Sequence, residues 1–524
     1  MFKVLVSDAI KPEGLAPLLE AANIELYQQP ASQSSDLLKD IDALLVRSET
    51  KVTEELMEAM PQLKIIARAG VGVDNIDVSA ATKRGIVVIN APDGNTISTA
   101  EHTFAMMASL ARHIPQAHSS LKMGEWKRKE YVGTELYGKN LGIVGMGRIG
   151  GEIAKRAKAF GMNVLVYDPF FSVDRARQLN VQSVSLEELM QGADFITVHT
   201  PLTEETRGLI NRDTLALCKK GVYLLNCARG GIIDEDALYE AIVSGQAAGA
   251  ALDVFVEEPP FGNKLLELDR VITTPHLGAS TREAQLNVAA QVAGEVLQYL
   301  NGSPVANSIN LPAVSKEVFM KIQPYYLLAR QMGALASQLT KRAVLELSVT
   351  YAGLPDDFEQ SMLTKALAAG FFRRIVDVTV NEVNALLVSK ERGVTLGEKT
   401  SDNTYGYANS ITLEVRTENR NFEIRGSYIQ QYGGRILSLN GFNIDFLPSG
   451  NLLYIQHTDK PGVIGRVGKI LGDYEVNIAT MQVGRKSAGG EAIMVLTFDK
   501  PLDTNILNKL QLSEDISFLH NIVL

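Results

Sequence analysis

Apolar residues come in short runs along the first part of the chain, at 3–6, 43–46, 65–67 and 86–89, with helical stretches between them. Runs of that length read as buried strands, and strand–helix alternation is the signature of a parallel α/β sheet. Residues 100–112 (AEHTFAMMASLAR) predict a strong helix that bridges into a second unit. From Leu141 the alternation resumes, with strands expected near 163–167, 195–199, 222–226, 250–254 and 271–274. Each runs into a polar residue at its C-terminal end, the edge where open parallel sheets bind ligands. A helix over 281–300 predicts a return to the first unit, so the chain crosses twice and leaves a cleft between two domains.

Residues 301–312 (NGSPVANSINLP) are rich in turn formers and read as a boundary. Beyond them helices expected at 325–339 and 381–391 mix with alternating strands at 345–350, 410–416, 422–427 and 435–439, an α+β module. The tail, 451–524, reads as strand, helix, strand, strand, helix, strand, which is a ferredoxin-like plan.

Composition narrows the class. A chain of 524 residues is too long for one core and predicts three or four domains. Its net charge of −9 provides no basic surplus to neutralise phosphates, which argues against a nucleic-acid partner. No apolar run approaches the ~18 residues of a membrane span. The N-terminal MFKVLVSDAI reads as a strand rather than a cleavable signal. Cys218 and Cys227 are too few for a disulfide framework and lack zinc spacing, so no metal is expected and a reducing cytoplasm is the expected home.

Candidate chemistry centres on LGIVGMGRIG at 141–150, where a strand runs into Gly145, Gly147 and Gly150 and then into an amphipathic helix. Gly145 allows a tight turn, Gly147 lets the backbone approach a pyrophosphate, and Gly150 lets the helix pack against the sheet, with the phosphate charge held at the helix N-terminus. The next strand ends in Asp168, placed to accept both ribose hydroxyls and to repel a 2′-phosphate, so NAD is favoured over NADP. Three polar residues follow later strands: Arg229 in NCARGG, Glu258 in VEEPP and His276 in TPHLG. Oxidising an alcohol needs a proton acceptor, a task suited to His276, with Glu258 fixing its tautomer. Arg229 can clamp a substrate carboxylate through two parallel hydrogen bonds.

GMGRIG, NCARGG, ALDVFVEEPP and TPHLGAS together resemble the D-2-hydroxyacid dehydrogenase family over roughly residues 1–302. RAGVGVDN at 68–75 and the two C-terminal modules resemble the long-form D-3-phosphoglycerate dehydrogenases, a resemblance that covers the whole chain. It implies an α/β fold: a Rossmann nucleotide-binding domain (94–280) inserted in a flavodoxin-like substrate domain (1–93 and 281–302). An α+β intervening domain (303–450) and a ferredoxin-like ACT domain (451–524) are expected to follow. The resemblance makes Arg229, Glu258 and His276 catalytic. It adds Arg148, Ile149, Thr200, Cys227, Asp253 and Gly278 to the residues that hold NAD. Substrate contacts are expected from Arg47, Arg68, Gly70, Val71, Gly72 and Asn95, with Arg128 reaching from a neighbouring subunit of a homotetramer. Several arginines around a small cleft suit a doubly anionic substrate.

The implied reaction is NAD-dependent oxidation of 3-phospho-D-glycerate (3-phosphoglycerate) to 3-phosphooxypyruvate, which opens L-serine biosynthesis. In the ACT-like tail His457, Asp459 and Asn477 match the positions at which related dehydrogenases bind L-serine as an effector between two such domains, with Gly462 in the same loop as Asp459 and His457 where some members carry tyrosine. Two other functions fit the same motifs. One is a dehydrogenase for another D-2-hydroxy acid such as 2-hydroxyglutarate; the other is an NAD(H)-sensing, corepressor-like binding protein.

Overall fold

The structure, a computed structural model, describes residues 1–312, 314, 316–340, 342–355, 360–376 and 379–524, so the expected 303–450 unit is described only in those parts. Five strands, β1 (Phe2–Val6), β2 (Ile24–Gln28), β3 (Ala43–Val46), β4 (Ile65–Arg68) and β5 (Val87–Asn90), form a wholly parallel sheet in the order β2-β1-β3-β4-β5. Its central strands are buried on both faces, which is why they read as continuous apolar runs rather than alternating ones. The Arg282–Leu300 helix returns across this sheet, and its Val288, Val292 and Val296 pack with Val4, Leu45 and Ile89 in one core.

The second sheet is also wholly parallel. It contains β6 (Asn140–Val144), β7 (Asn163–Tyr167), β8 (Gln182–Ser183), β9 (Phe195–Val198), β10 (Val222–Asn226), β11 (Ala247–Leu252) and β12 (Val271–Thr273), in the order β12-β11-β10-β9-β6-β7-β8. The strand order reverses between β6 and β9. That reversal opens a crevice beyond the strands' C-terminal ends, the place where doubly wound sheets bind dinucleotides. The bridging helix spans Thr96–Ala111, four residues earlier than its apolar pattern indicates, because its first turn is largely polar and Asn95 and Thr99 line the cleft.

The third sheet has the order β14-β13-β15-β16-β17-β18, from β13 (Val344–Ala352), β14 (Thr395–Ser401), β15 (Ser410–Thr417), β16 (Asn421–Ile429), β17 (Gly433–Leu439) and β18 (Phe442–Phe446). In the tail, β19 (Asn451–Thr458), β20 (Ile478–Arg485), β21 (Glu491–Phe498) and β22 (Ile516–Val523) form an antiparallel sheet in the order β20-β21-β19-β22, with the Val463–Asp473 and Thr504–Gln511 helices on one face. Leu452, Tyr454, Val495 and Ile522 point to the other face and share a core with the third sheet and its helices, so the two C-terminal units are packed together. Among the described residues no helix is long and apolar enough to cross a membrane.

The Lys316–Leu339 and Gln360–Phe372 helices cross almost backbone to backbone. A Cβ on Gly333 would meet the Leu367 carbonyl oxygen at 1.9 Å, and one on Gly370 would meet that of Arg330 at 2.0 Å. Gly333→Ala or Gly370→Ala should therefore lower unfolding stability by about 1–3 kcal/mol through overpacking and leave NADH affinity unchanged. A Tm equal to wild type for both variants would show that these helices can separate without cost.

Candidate functional site

The glycine loop after β6 has the geometry its residues require. Gly145 has φ +96°, and its N–H donates to the Tyr167 carbonyl at 2.9 Å. A Cβ on Gly150 would come within 2.3 Å of the Gly145 oxygen, whereas one on Gly147 would meet nothing within 4 Å. The side over Gly147 is thus open for a phosphate group, with Arg148 and Ile149 in the first turn of the following Arg148–Ala159 helix. Asp168, just after β7, sits beside the loop and accepts from the N–H groups of Met146 and Phe170, both at 2.8 Å.

A cleft of about 480 Å³ opens between the two parallel sheets. From the first domain Val71, Gly72 and Asp74 line it; from the second come Asn95, Gly147, Arg148, Ile149, Thr200, Cys227, Arg229, Asp253, His276 and Gly278. The Thr200 hydroxyl, the Asn95 amide oxygen and Nδ1 of His199 are buried there without a protein partner. Unsatisfied buried polar atoms are costly, and together with the open Gly147 they fit a polar dinucleotide. Burial pushes the His199 imidazole down to about 3, leaving it neutral with Nε2 2.8 Å from the Thr197 hydroxyl. Burial pushes the Cys227 thiol up to about 12 against a hydrogen bond from Thr103, which makes it a packing residue and not a nucleophile.

Nδ1 of His276 lies 2.8 Å from Oε2 of Glu258, whose other oxygen accepts from the Phe255 N–H at 3.2 Å. A carboxylate at Nδ1 selects the tautomer that carries its proton there and leaves Nε2 as the acceptor. His276 is held at φ +54°, a left-handed conformation costing a non-glycine residue about 1–3 kcal/mol. The turn is clamped by Asp253. Its backbone oxygen accepts from the His276 N–H at 3.0 Å, and its carboxylate accepts from the N–H groups of Leu277 (2.7 Å) and Gly278 (2.8 Å). Asp253 is 1% exposed. Burial opposes its charge, but hydrogen bonds from His102, Thr274, Leu277 and Gly278 outweigh burial and hold the carboxyl below its ordinary range.

Arg229 lies over Gly72, where a Cβ would meet its Nη2 at 2.0 Å, and pairs with Asp74 at 3.3 Å. Arg68, at the end of β4, folds over Gly70. Burial, then the nearby charges of Arg229 and Arg47, lower the Arg68 pKa, with Asp74 and Asp8 opposing. Of these three arginines, Arg229 lines the cleft itself. Arg47 itself faces a side pocket with Lys11 and Gly14, and Arg68 and Gly70 stand behind the cleft wall. Arg128 is exposed, away from the cleft of its own chain. A carboxylate with no sequence signal, Asp93, pairs with the cleft residue Arg148 at 2.5 Å.

The tail does not gather its four expected residues. Thr458 pairs with Glu491 and Arg485 with Ala492 at one end of the ladder, while Ile478 pairs with Phe498 at the other. Asn477 is therefore at the far end from Asp459, roughly 20 Å of strand away, so His457, Asp459, Gly462 and Asn477 do not form one site within a chain. Asp459 is occupied by Arg485 Nη1 at 2.9 Å and the Gly489 N–H at 3.1 Å, which lower its pKa. His457 is buried with Nδ1 against the Thr458 carbonyl. Gly462 caps the Val463–Asp473 helix at φ +91°.

Sequence reading passed over His102. Its Nε2 lies 3.2 Å from Asp253 Oδ1 and 3.1 Å from the Thr274 hydroxyl. The available signal was a polar row, Thr99, His102 and Thr103, on the buried side of an otherwise apolar helix.

Family models match three segments: the D-isomer specific 2-hydroxyacid dehydrogenase NAD-binding domain over 104–278, the D-3-phosphoglycerate dehydrogenase intervening domain over 321–440, and an ACT domain over 452–511. The D-3-phosphoglycerate dehydrogenase of Bacillus subtilis is 58% identical over 98% of both chains, and that of Methanocaldococcus jannaschii is 45% identical over 98% of both. Among solved structures, a D-lactate dehydrogenase from Aquifex aeolicus in complex with NAD and lactic acid superposes with TM-score 0.51 at 32% identity, covering 57% of this chain and 96% of that one. With its glycine loop, its cleft and its two further C-terminal units, the chain is an NAD-dependent oxidoreductase that belongs to the D-3-phosphoglycerate dehydrogenases of the D-2-hydroxyacid dehydrogenase family.

Proposed function

We propose that the chain oxidises 3-phospho-D-glycerate to 3-phosphooxypyruvate with NAD, as the first step of L-serine biosynthesis. The observation that carries this reading is the 2.8 Å contact between His276 and Glu258 in the same cleft as Arg229 and the glycine loop. Arg229 binds the substrate carboxylate and orients C2. Nε2 of His276 takes the C2 hydroxyl proton, and Glu258 stabilises the imidazolium that forms. NAD, when bound, supplies the hydride acceptor for C2; Gly145, Gly147, Arg148, Ile149 and Gly150 hold its pyrophosphate and Asp168 its ribose. Arg47 and Arg68 face the phosphate, joined by Arg128 of a neighbouring subunit in a homotetramer. The segment around Arg128 exposes Trp126 and Val132, 81% and 77% accessible, an apolar surface suited to such a contact.

The reading extends to feedback by L-serine, bound between two copies of the ACT domain. The ladder, which separates Asn477 from Asp459 within a chain, supports a site shared by two chains. The serine ammonium displaces Arg485 from Asp459.

Steady-state assays of 3-phosphoglycerate against D-2-hydroxyglutarate and other D-2-hydroxy acids test the substrate, and a higher kcat/KM for any of the others would overturn it. His276→Asn should lower turnover by at least ~10²-fold while NADH still binds, because only the proton acceptor is removed; near-normal turnover would take His276 out of the mechanism. Asp168→Ala should lower the NAD/NADP ratio of specificity constants through loss of hydrogen bonds worth about 1.5–3 kcal/mol. An unchanged ratio would assign that preference elsewhere. Asp459→Ala should raise the inhibitory serine concentration ~10-fold or more with the uninhibited rate unchanged. Calorimetry that detects no serine binding to the wild-type protein at millimolar concentration would leave the ACT domain without this role.

A further inference from the structure

His102 stands on the Thr96–Ala111 helix between the buried Thr99 and Thr103, with its own side chain only 20% exposed. An imidazole in such a place is costly unless its nitrogen is engaged. Its partner is the Asp253 carboxylate, itself buried and already receiving the Leu277 and Gly278 N–H groups. Thr274 donates to the same Oδ1 at 2.5 Å. The same helix touches the turn directly, since the Thr99 hydroxyl donates to the Gly278 carbonyl at 3.2 Å, and Asn95 before it lines the cleft. One face of the bridging helix therefore carries a row of side chains that ends on the turn presenting His276.

We propose that His102 is a positioning residue for the dehydrogenase reaction: by donating from Nε2 to Asp253 it fixes the carboxylate that clamps the 276–278 turn, and so sets the place of the His276 ring. The proposal rests on the reading of His276 as proton acceptor. The His276 side chain is half exposed and touches Glu258 at 2.8 Å, while its left-handed backbone is held by the turn. Glu258 orients the ring, and the turn that places its backbone is held by Asp253. A carboxylate with four donors on two oxygens has one orientation; with His102 removed, Oδ1 loses the donor supplied by the helix that joins the two domains.

Two replacements of His102 separate positioning from packing. His102→Leu fills the space without a donor, whereas the amide nitrogen of His102→Gln reaches the place of Nε2. Expected results are a kcat at least ~10-fold lower for His102→Leu at an unchanged NADH dissociation constant, and recovery to within ~3-fold of wild type for His102→Gln. Thr274→Val, which removes the other side-chain donor to Oδ1, should lower kcat in the same direction and serves if His102→Leu does not fold. Introduced into His276→Asn, His102→Leu should cause no further loss, because the residue acts through His276. Wild-type kcat in His102→Leu, or a Gln variant as slow as the Leu variant, would overturn the proposal. So would a further loss on top of His276→Asn. Failure of the proton-acceptor reading is visible separately, as an active His276→Asn single variant.

Discussion

A carboxylate buried at the end of a parallel strand needs several donors to remain ionised, and Asp253 is the group around which the cleft is ordered. Its donors come from three places: the bridging helix through His102, the end of β12 through Thr274, and the turn beyond through Leu277 and Gly278. Satisfying one charge thereby joins the helix between domains, a strand edge of the nucleotide sheet and the loop that carries His276. The left-handed backbone at His276 is tolerated because this set of bonds over-determines it.

The two parallel sheets make the rest of the site possible. Both point their C-terminal ends at a shared cleft, so arginines that end or follow strands of different sheets, Arg68 after β4 and Arg229 after β10, approach one another. Like charges brought together in a half-buried place repel, and a bound anion relieves that repulsion. In the ligand-free chain Asp74 supplies part of the counter-charge to Arg229 and Asp93 does so for Arg148. These are exposed pairs, weak enough to yield to a substrate carboxylate or a pyrophosphate.

Residues whose type is dictated by backbone geometry were the most legible in sequence. Gly145 and Gly150 answer to a positive φ and a close approach, and they identify the turn whatever surrounds them. Strand ends facing the cleft were legible as well, because buried parallel strands are uninterrupted apolar runs that stop at a polar residue. Strands without that contrast were not: β14, TLGEKTS, is an edge strand with little buried surface, and β2 shows only partial burial. The Gln360–Phe372 helix was hidden for the opposite reason, being apolar on nearly all sides with no period to read. His102 showed only as part of a polar row on an apolar helix, and its role was not legible because its partner is 151 residues away. The distance between Asn477 and Asp459 was not legible either, because local spacing does not tell at which end of an antiparallel ladder a residue falls.

The most direct test of the account is a crystal structure of the His276→Asn variant with NAD and 3-phosphoglycerate, which should hold substrate without turning it over. The account requires the substrate carboxylate on Arg229, the C2 hydroxyl at residue 276, and the phosphate toward Arg68 and Arg47. A substrate bound the other way round, with its phosphate on Arg229 and its C2 hydroxyl away from residue 276, would contradict it.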